Sequence, residues 1–152
     1  MGKEIERKFL IRELPANLNE YPYHELEQGY LNTAPVVRVR KEDDVFYLTY
    51  KGRGLLEREE YNLPLTKEAY DHLIEKADGN IISKRRYLIP FDGYTIELDV
   101  FKEPFKPLII AEVEFPSVDE ATSFLPPDWF GKDVTEDHTY SNSYLSQADT
   151  TS

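Results

Sequence analysis

Hydrophobic and polar residues alternate with a period of two over most of this chain. Ile5 and Phe9 alternate with Glu4, Glu6 and Lys8, Val37 and Val39 with Arg38 and Arg40, and Ile96, Leu98 and Val100 with Glu97 and Asp99. Such alternation puts apolar side chains on one face of a strand and polar ones on the other. Eight segments carry it and are rich in β-branched and aromatic residues: 4–11, 25–31, 36–41, 45–51, 57–63, 81–89, 94–101 and 108–115. Several connections are tight. Glu42-Asp43-Asp44, Gly52 to Gly54 and above all Asp92-Gly93 are turn sequences, so neighbouring strands are expected to pair antiparallel.

Two stretches change to a helical period. Thr66 supplies an N-cap, Leu65 and Tyr70 are spaced for a hydrophobic staple, and Ala69, Leu73, Ile74 and Ala77 fall on one stripe, with Asp78-Gly79 as the stop. Ser117 and Glu120 form a capping box before Ala121, Phe124 and Leu125, and Pro126-Pro127 ends that helix. A short helical end is expected over 141–147. No internal repeat, linker or low-complexity stretch interrupts the pattern. It predicts one α+β domain, mainly antiparallel β, over residues 1–147, with a frayed tail at 148–152.

The charges also sort by face. Glu4, Glu6 and Lys8 share one face of the first strand; Arg38 with Arg40, Thr49 with Lys51, Arg58 with Glu60, Lys84 with Arg86, Glu97 with Asp99, and Glu112 with Glu114 do the same. On a single strand such a face is usually just solvated. Over the whole set, like charges recur two residues apart, about 6.5–7 Å along a strand, which is unfavourable unless a counter-charge relieves it. The carboxylates are Glu4, Glu6, Glu60, Glu97, Asp99, Glu112 and Glu114, and the cations Lys8, Arg38, Arg40, Lys51, Arg58, Lys84 and Arg86. If the eight strands close into a barrel with this face inward, the interior is a charged tunnel and no long sheet edge is exposed. The apolar faces then point outward and need covering by helices and aromatic-rich connections. Such an interior is stable only when wet or liganded. Its acidic groups suit a hard divalent cation and its Arg and Lys suit phosphate oxygens, so together they suit a metal-bound polyphosphate.

Composition narrows the classes. The 152 residues carry 29 Asp plus Glu against 18 Lys plus Arg, a net charge of −11, which argues against a nonspecific nucleic-acid binder. A hydrophobic content of 40% is enough for a core. No apolar run approaches the roughly 18 residues of a membrane span, and the charged start at residues 1–10 is unlike a secretory signal. Glu6 stands where N-myristoylation needs Ser or Thr, so a cytoplasmic protein is expected. With 0 Cys and scattered His24, His72 and His138, a metal would rest mostly on carboxylates, which favour Mg2+ or Mn2+ over Zn2+. His24 and His72 read as surface or capping residues, and Trp129 as a packing residue that covers the barrel.

Glu4-Ile5-Glu6-Arg7-Lys8 resembles the ExExK signature of the CYTH domains, also called triphosphate tunnel metalloenzymes. Gln28-Gly29-Tyr30-Leu31, Arg38-Val39-Arg40, Lys51, Arg58 with Glu60, Lys84-Arg85-Arg86-Tyr87, Glu97-Leu98-Asp99 and Glu112-Val113-Glu114 follow in that family's order and spacing. The match covers nearly the whole chain and is similar to the short, single-domain bacterial members. The resemblance implies a closed eight-stranded β-barrel with a few helices packed outside, and metal-dependent hydrolysis of triphosphate compounds. It implies a metal side of Glu4, Glu6, Glu97, Asp99, Glu112 and Glu114, and a phosphate side of Lys8, Arg38, Arg40, Lys51, Arg58, Lys84 and Arg86. Glu4, Glu6, Lys8, Tyr30 and Glu60 are the candidates for the chemistry itself. Tyr30 is either a tunnel-mouth residue near the substrate or an ordinary core or rim tyrosine. Two places depart from the family pattern. Asn62 stands where members often carry another acid after Glu60, and Asp137-His138-Thr139-Tyr140-Ser141-Asn142 lacks both basic residues of a common C-terminal run. His138 either replaces part of that charge or is an exposed helix-end histidine.

Inorganic tripolyphosphate, hydrolysed to pyrophosphate and phosphate, is the expected substrate, since no distinct segment is devoted to a nucleobase or a thiazolium ring. The alternatives are a class IV type adenylate cyclase, a thiamine triphosphatase, and a non-enzymatic sensor of polyphosphate or nucleotide. A pure polyanion binder gains nothing from six nearby carboxylates. The expected partners are therefore a small-molecule triphosphate and, as the candidate assembly, a second copy in a homodimer, with neither nucleic acid nor membrane.

Overall fold

The computed structural model describes residues 2–149; Thr150 to Ser152 of the expected tail lie outside the described residues. The strands are β1 (Gly2–Ile11), β2 (Tyr23–Thr33), β3 (Val36–Glu42), β4 (Val45–Lys51), β5 (Glu57–Leu65), β6 (Asp78–Phe91), β7 (Tyr94–Phe101), β8 (Ile109–Glu114) and β9 (Phe130–Asp133). The first eight pair antiparallel in the order β1-β5-β4-β3-β2-β6-β7-β8 and back to β1, so the sheet closes on itself. β1 is the closing strand. Glu4 lies opposite Arg58 of β5, while Glu6 and Lys8 lie opposite Glu114 and Glu112 of β8. The register sets the other charged rows side by side on the inner face, Arg86 opposite Asp99 and Glu97 opposite Glu112. Asp92 and Gly93 both take positive φ, 52° and 81°, the two-residue turn that suits the right-handed twist of the flanking strands.

The outer apolar face of β1, β6, β7 and β8 packs under α2 (Val118–Ser123) and β9, with Ile96, Leu98, Ala111 and Val113 fully buried. Each such large aliphatic side chain contributes about 1.5–3 kcal/mol. Only half of the expected capping box forms. Ser117 Oγ accepts the Glu120 N–H at 3.2 Å, but the Glu120 carboxylate accepts from the Tyr94 hydroxyl at 2.6 Å. The helix stops at Ser123, and Leu125, expected on its buried stripe, is 80% exposed. Pro126 bars the residue before it from the helical region. Phe124 turns inward on Phe115, Phe9 and Phe91. The sequence pattern did not predict β9. It pairs with the end of β1, and Arg7 ties it in through Asp133 at 3.0 Å while donating to the Ala121 and Phe124 carbonyls. Trp129 packs edge-on against Phe130, as expected of a covering residue.

α1 (Lys67–Ile74) starts as predicted, with Thr66 Oγ1 accepting the Ala69 N–H at 3.0 Å. It ends at Ile74, and Asp78-Gly79 opens β6 instead of stopping the helix. Gly79 has φ +68°, and a Cβ there would stand 2.0 Å from the Ser146 carbonyl oxygen, so this start of β6 fits only glycine against the chain's last helix. α1 is about 12 Å long. Its Tyr70 covers Phe46 of β4, but Tyr50, Tyr61 and Leu63 stay 37%, 39% and 56% exposed, so the outward apolar face is not fully covered.

α3 (Asn142–Gln147) lies over a second apolar layer. Leu145 packs with Tyr30, Val36, Ile82, Phe101 and Ile110. Asn80 Nδ2 donates to the carbonyls of Leu145 and Ala148 at 3.0 and 2.9 Å, so Ala148, placed by expectation in the frayed tail, is tied down. Among the described residues no helix is long and apolar enough to cross a membrane.

Candidate active site

The inward rows enclose a cavity of about 170 Å³. Of the seven carboxylates and seven cations singled out from the sequence, all but Asp99 and Lys84 line it. Those two lie behind its wall, 1% and 0% exposed and 2.7 Å apart. Asp99 also takes Arg86 in a fork, from Nε at 2.7 Å and Nη2 at 2.9 Å. Arg86 reaches on to Glu112 at 3.1 Å and Glu97 at 3.4 Å. On the other side Glu4 takes Lys51 at 3.0 Å and Arg58 at 3.2 Å, and Lys8 stands 3.5 Å from Glu112. Glu60 faces Lys51 at 3.7 Å.

The balance of burial against nearby charge divides six of the carboxyls into two groups. Burial opposes ionisation of Glu112, but Lys8, Arg86, Lys84 and Lys51 outweigh it and hold its pKa well below the usual value. Glu4 and Asp99 are lowered in the same way, against burial, by Lys51 with Arg58 and by Arg86 with Lys84. Glu6, Glu97 and Glu114 go the other way. Glu6 makes no ion pair among the described residues, and burial, then Glu112 and Glu4, push its carboxyl up to about 8. Glu114, at the rim, is raised to about 7 by partial desolvation and by Glu4, Glu60 and Glu97. Glu97 is raised by burial despite Arg86.

The cations divide likewise. Arg38 and Arg40 make no ion pair among the described residues. Arg40 Nε donates to Gln28 Oε1 at 2.9 Å, and burial, with Arg38 and Arg86 nearby, lowers its pKa to about 10. Arg38 is 3% exposed, donates to the Tyr30 hydroxyl at 3.4 Å, and its Nε has no hydrogen-bond partner. Burial opposes its charge, but Tyr30, Glu4 and Glu60 outweigh it and raise its pKa, and the unpartnered Nε is a donor left for an anion. Lys84 falls to about 8 because burial outweighs Asp99.

Among the described residues no three Asp, Glu or His side chains are already gathered to chelate an ion. The donor set nevertheless fits a hard divalent cation. Glu6 and Glu114 are raised by burial and then by neighbouring carboxylates, and oxygen donors at that density are what Mg2+ or Mn2+ takes.

Tyr30 lines the cavity from its buried wall, 2% exposed and packed in the layer under Leu145, its hydroxyl accepting from Arg38 and Gln28. Gln28, fully buried, was missed as a site residue, although it shares a strand face with Tyr30 and an inward amide is a signal in itself. Ser141, Asn142 and Ser143 were also missed. They line the cavity, and Asn142 Oδ1 accepts from Lys84 Nζ at 3.1 Å. In place of an acid, Asn62 accepts the Thr49 hydroxyl at 2.6 Å. His138 is exposed and stands in a narrow cleft beside the main cavity, with Glu6 and Lys8. His24 pairs with Asp43 at 2.6 Å on the surface, and His72 is exposed.

The chain is similar to known proteins over nearly its whole length. The model of the CYTH domain matches residues 2–139. An inorganic triphosphatase of Nitrosomonas europaea is 40% identical over 148 residues, 93% of this chain and 95% of that protein. One of Acetivibrio thermocellus is 40% identical over 153 residues, 95% of this chain and 94% of its own length. The crystal structure of an inorganic triphosphatase superposes with a TM-score of 0.73 at 37% identity, covering 96% of this chain and 95% of that one.

Proposed function

From the premise that the chain belongs to the CYTH domain family, we propose that it is a metal-dependent triphosphatase that hydrolyses inorganic tripolyphosphate to pyrophosphate and phosphate. The carrying observation is that one cavity holds two arginines, Arg38 and Arg40, and a carboxyl, Glu6, that make no ion pair among the described residues. A triphosphate with its divalent cation supplies what each lacks.

Glu4, Glu6, Glu97, Glu112 and Glu114 would hold the ion, Mg2+ or Mn2+. When bound, the ion neutralises phosphate oxygens and lowers the pKa of a water. Arg38 and Arg40 bind phosphate oxygens first, since neither has to leave a carboxylate to do so. Lys8, Lys51, Arg58 and Arg86 are held on carboxylates at 2.7–3.7 Å and face the same cavity, where they stabilise charge on the leaving phosphate. Asp99 and Lys84 act from behind the wall by fixing Arg86, and Tyr30 and Gln28 fix Arg38 and Arg40. Glu60, beside Lys51 and Glu4, completes the acidic rim.

Phosphate release from tripolyphosphate should require Mg2+ or Mn2+, stop in chelator, and exceed release from ATP or thiamine triphosphate, with no cyclic product from ATP. Turnover indifferent to chelator, or binding without turnover, would refute the proposal. Arg40→Ala should raise KM for tripolyphosphate about tenfold or more with a smaller change in kcat, because the lost contact is made in the bound state as well as the transition state. Its thermal stability should change little, since no ion pair is broken and relief of the repulsion from Arg38 and Arg86 offsets the lost hydrogen bond to Gln28. An unchanged KM would take Arg40 off the phosphate side.

A further inference from the structure

Gln28 is fully buried, and the pairing of β2 with β3 sets it opposite Arg40. Its amide fits only one way round. Arg40 Nε is a donor with no acceptor capacity, so Gln28 Oε1 faces it at 2.9 Å and Gln28 Nε2 is left to donate to the Tyr30 hydroxyl at 3.4 Å. That hydroxyl also accepts from Arg38 Nη1 at 3.4 Å, so one line of hydrogen bonds joins the two arginines of β3.

The other cations that line the cavity are held differently. Lys8, Lys51, Arg58 and Arg86 each face a carboxylate. Asp99 takes Arg86 through Nε at 2.7 Å and Nη2 at 2.9 Å, which closes the fork that would grip a phosphate and offsets the charge. Gln28 takes Nε and leaves the charge of Arg40 in place. Glutamate has nearly the shape of glutamine, so a carboxylate would fit here, and a buried cation is normally given one. Without it, burial and then Arg38 and Arg86 oppose the charge on Arg40. A carboxylate would relieve that cost, but it would also occupy the guanidinium that a phosphate needs. We propose that Gln28 is a positioning residue that sets the affinity for triphosphate: its neutral amide holds Arg40 towards the cavity and leaves the guanidinium's charge to the substrate. The proposal rests on the triphosphatase reading and deepens it by naming what keeps the phosphate side open.

Gln28→Glu separates orientation from charge. The new carboxylate can still accept from Arg40 Nε, and the Tyr30 hydroxyl has its own proton to donate to the second oxygen, so the line of hydrogen bonds survives. KM for tripolyphosphate should rise about tenfold or more with kcat changed less than about threefold, and the melting temperature of the ligand-free protein should rise with it. A merely structural residue does not move the two in those directions together. Gln28→Leu removes the orienting contact and adds no charge. KM should then rise about threefold, and in an Arg40→Ala background the same substitution should add less than about 1.5-fold, because Gln28 acts through Arg40. An unchanged KM in Gln28→Glu would overturn the proposal. So would a raised KM with a lowered melting temperature or a failure to fold, or a Gln28→Leu effect that is equal with and without Arg40. If the wild-type protein does not hydrolyse tripolyphosphate, the triphosphatase reading fails by itself, and calorimetric titration of tripolyphosphate with Mg2+ into the same proteins decides the role of Gln28. Binding by the wild type that Gln28→Glu weakens about tenfold sustains it, and any other result overturns it.

Discussion

Glu6→Gln should abolish metal-dependent hydrolysis of tripolyphosphate while raising the melting temperature of the metal-free protein. The two effects share one cause. Glu6 is 8% exposed, makes no ion pair among the described residues, and has Glu112 and Glu4 as its carboxylate neighbours. Its pKa is about 8 in the folded protein against 4.5 as an ordinary carboxyl. The protonated form is the favoured one in the fold, so the group's contribution to stability is fully present below the unfolded value and is lost as pH rises through the folded one. Gln keeps the shape without the charge, which should stabilise the metal-free protein by about 2 kcal/mol near pH 8, or roughly 5 °C for a domain of this size. The gap between variant and wild type should widen from pH 6 to pH 9. Mg2+ should close it by raising the wild-type melting temperature while leaving the variant where it is. Turnover should fall on the order of a thousandfold, since an amide is a poor ligand for a hard cation. Full activity in Glu6→Gln, or a lower melting temperature in chelator, would place the metal elsewhere.

Local alternation carried most of the fold, and the places where it failed have physical causes. β1 to β8 were legible because each has apolar and charged residues on opposite faces. Closure followed from charge: two rows of like charges become tolerable only when they face one another, as Arg86 and Asp99 do at 2.7 Å. β9 was not legible, since four residues with Gly131 among them give no period. Leu125 was misplaced because a helical stripe was extended through a position that Pro126 forbids. The site divides in the same way. Parity identified the inward charges, but it does not report depth along the tunnel. It therefore put Asp99 and Lys84 in the cavity, when both stand behind its wall, while Tyr30, a mouth or core candidate from the resemblance, is a buried residue of the lining. Contacts made by α3 were out of reach for a different reason. Asn142 to Lys84 and Asn80 to Leu145 join parts of the chain whose proximity only the closed barrel creates.

Asp99 carries the largest expected effect on stability. Asp99→Asn should destabilise the protein by about 3–5 kcal/mol, because removing one partner from a buried ionic cluster leaves the others without compensation. The cluster is specific about who suffers. Arg86 keeps Glu112 and Glu97, but Lys84, 0% exposed, keeps among the described residues the Asn142 amide oxygen at 3.1 Å and the face of the Phe101 ring at 5.1 Å, and no carboxylate within ion-pair distance. Most of the loss should therefore come from a stranded ammonium. Adding Lys84→Met to Asp99→Asn should recover a large part of it, since the methionine removes the buried charge and fills similar volume. Adding Arg86→Met instead should recover little, because it would leave Lys84 stranded and release Glu97 and Glu112 as well. Urea denaturation of the two double variants against Asp99→Asn reads this directly. The metal requirement of whatever activity remains should be unchanged, with KM raised as Arg86 loses its fork. If Asp99→Asn is as stable as the wild type and has instead lost its response to Mg2+, Asp99 leaves the wall and belongs with Glu6 among the ligands of the ion.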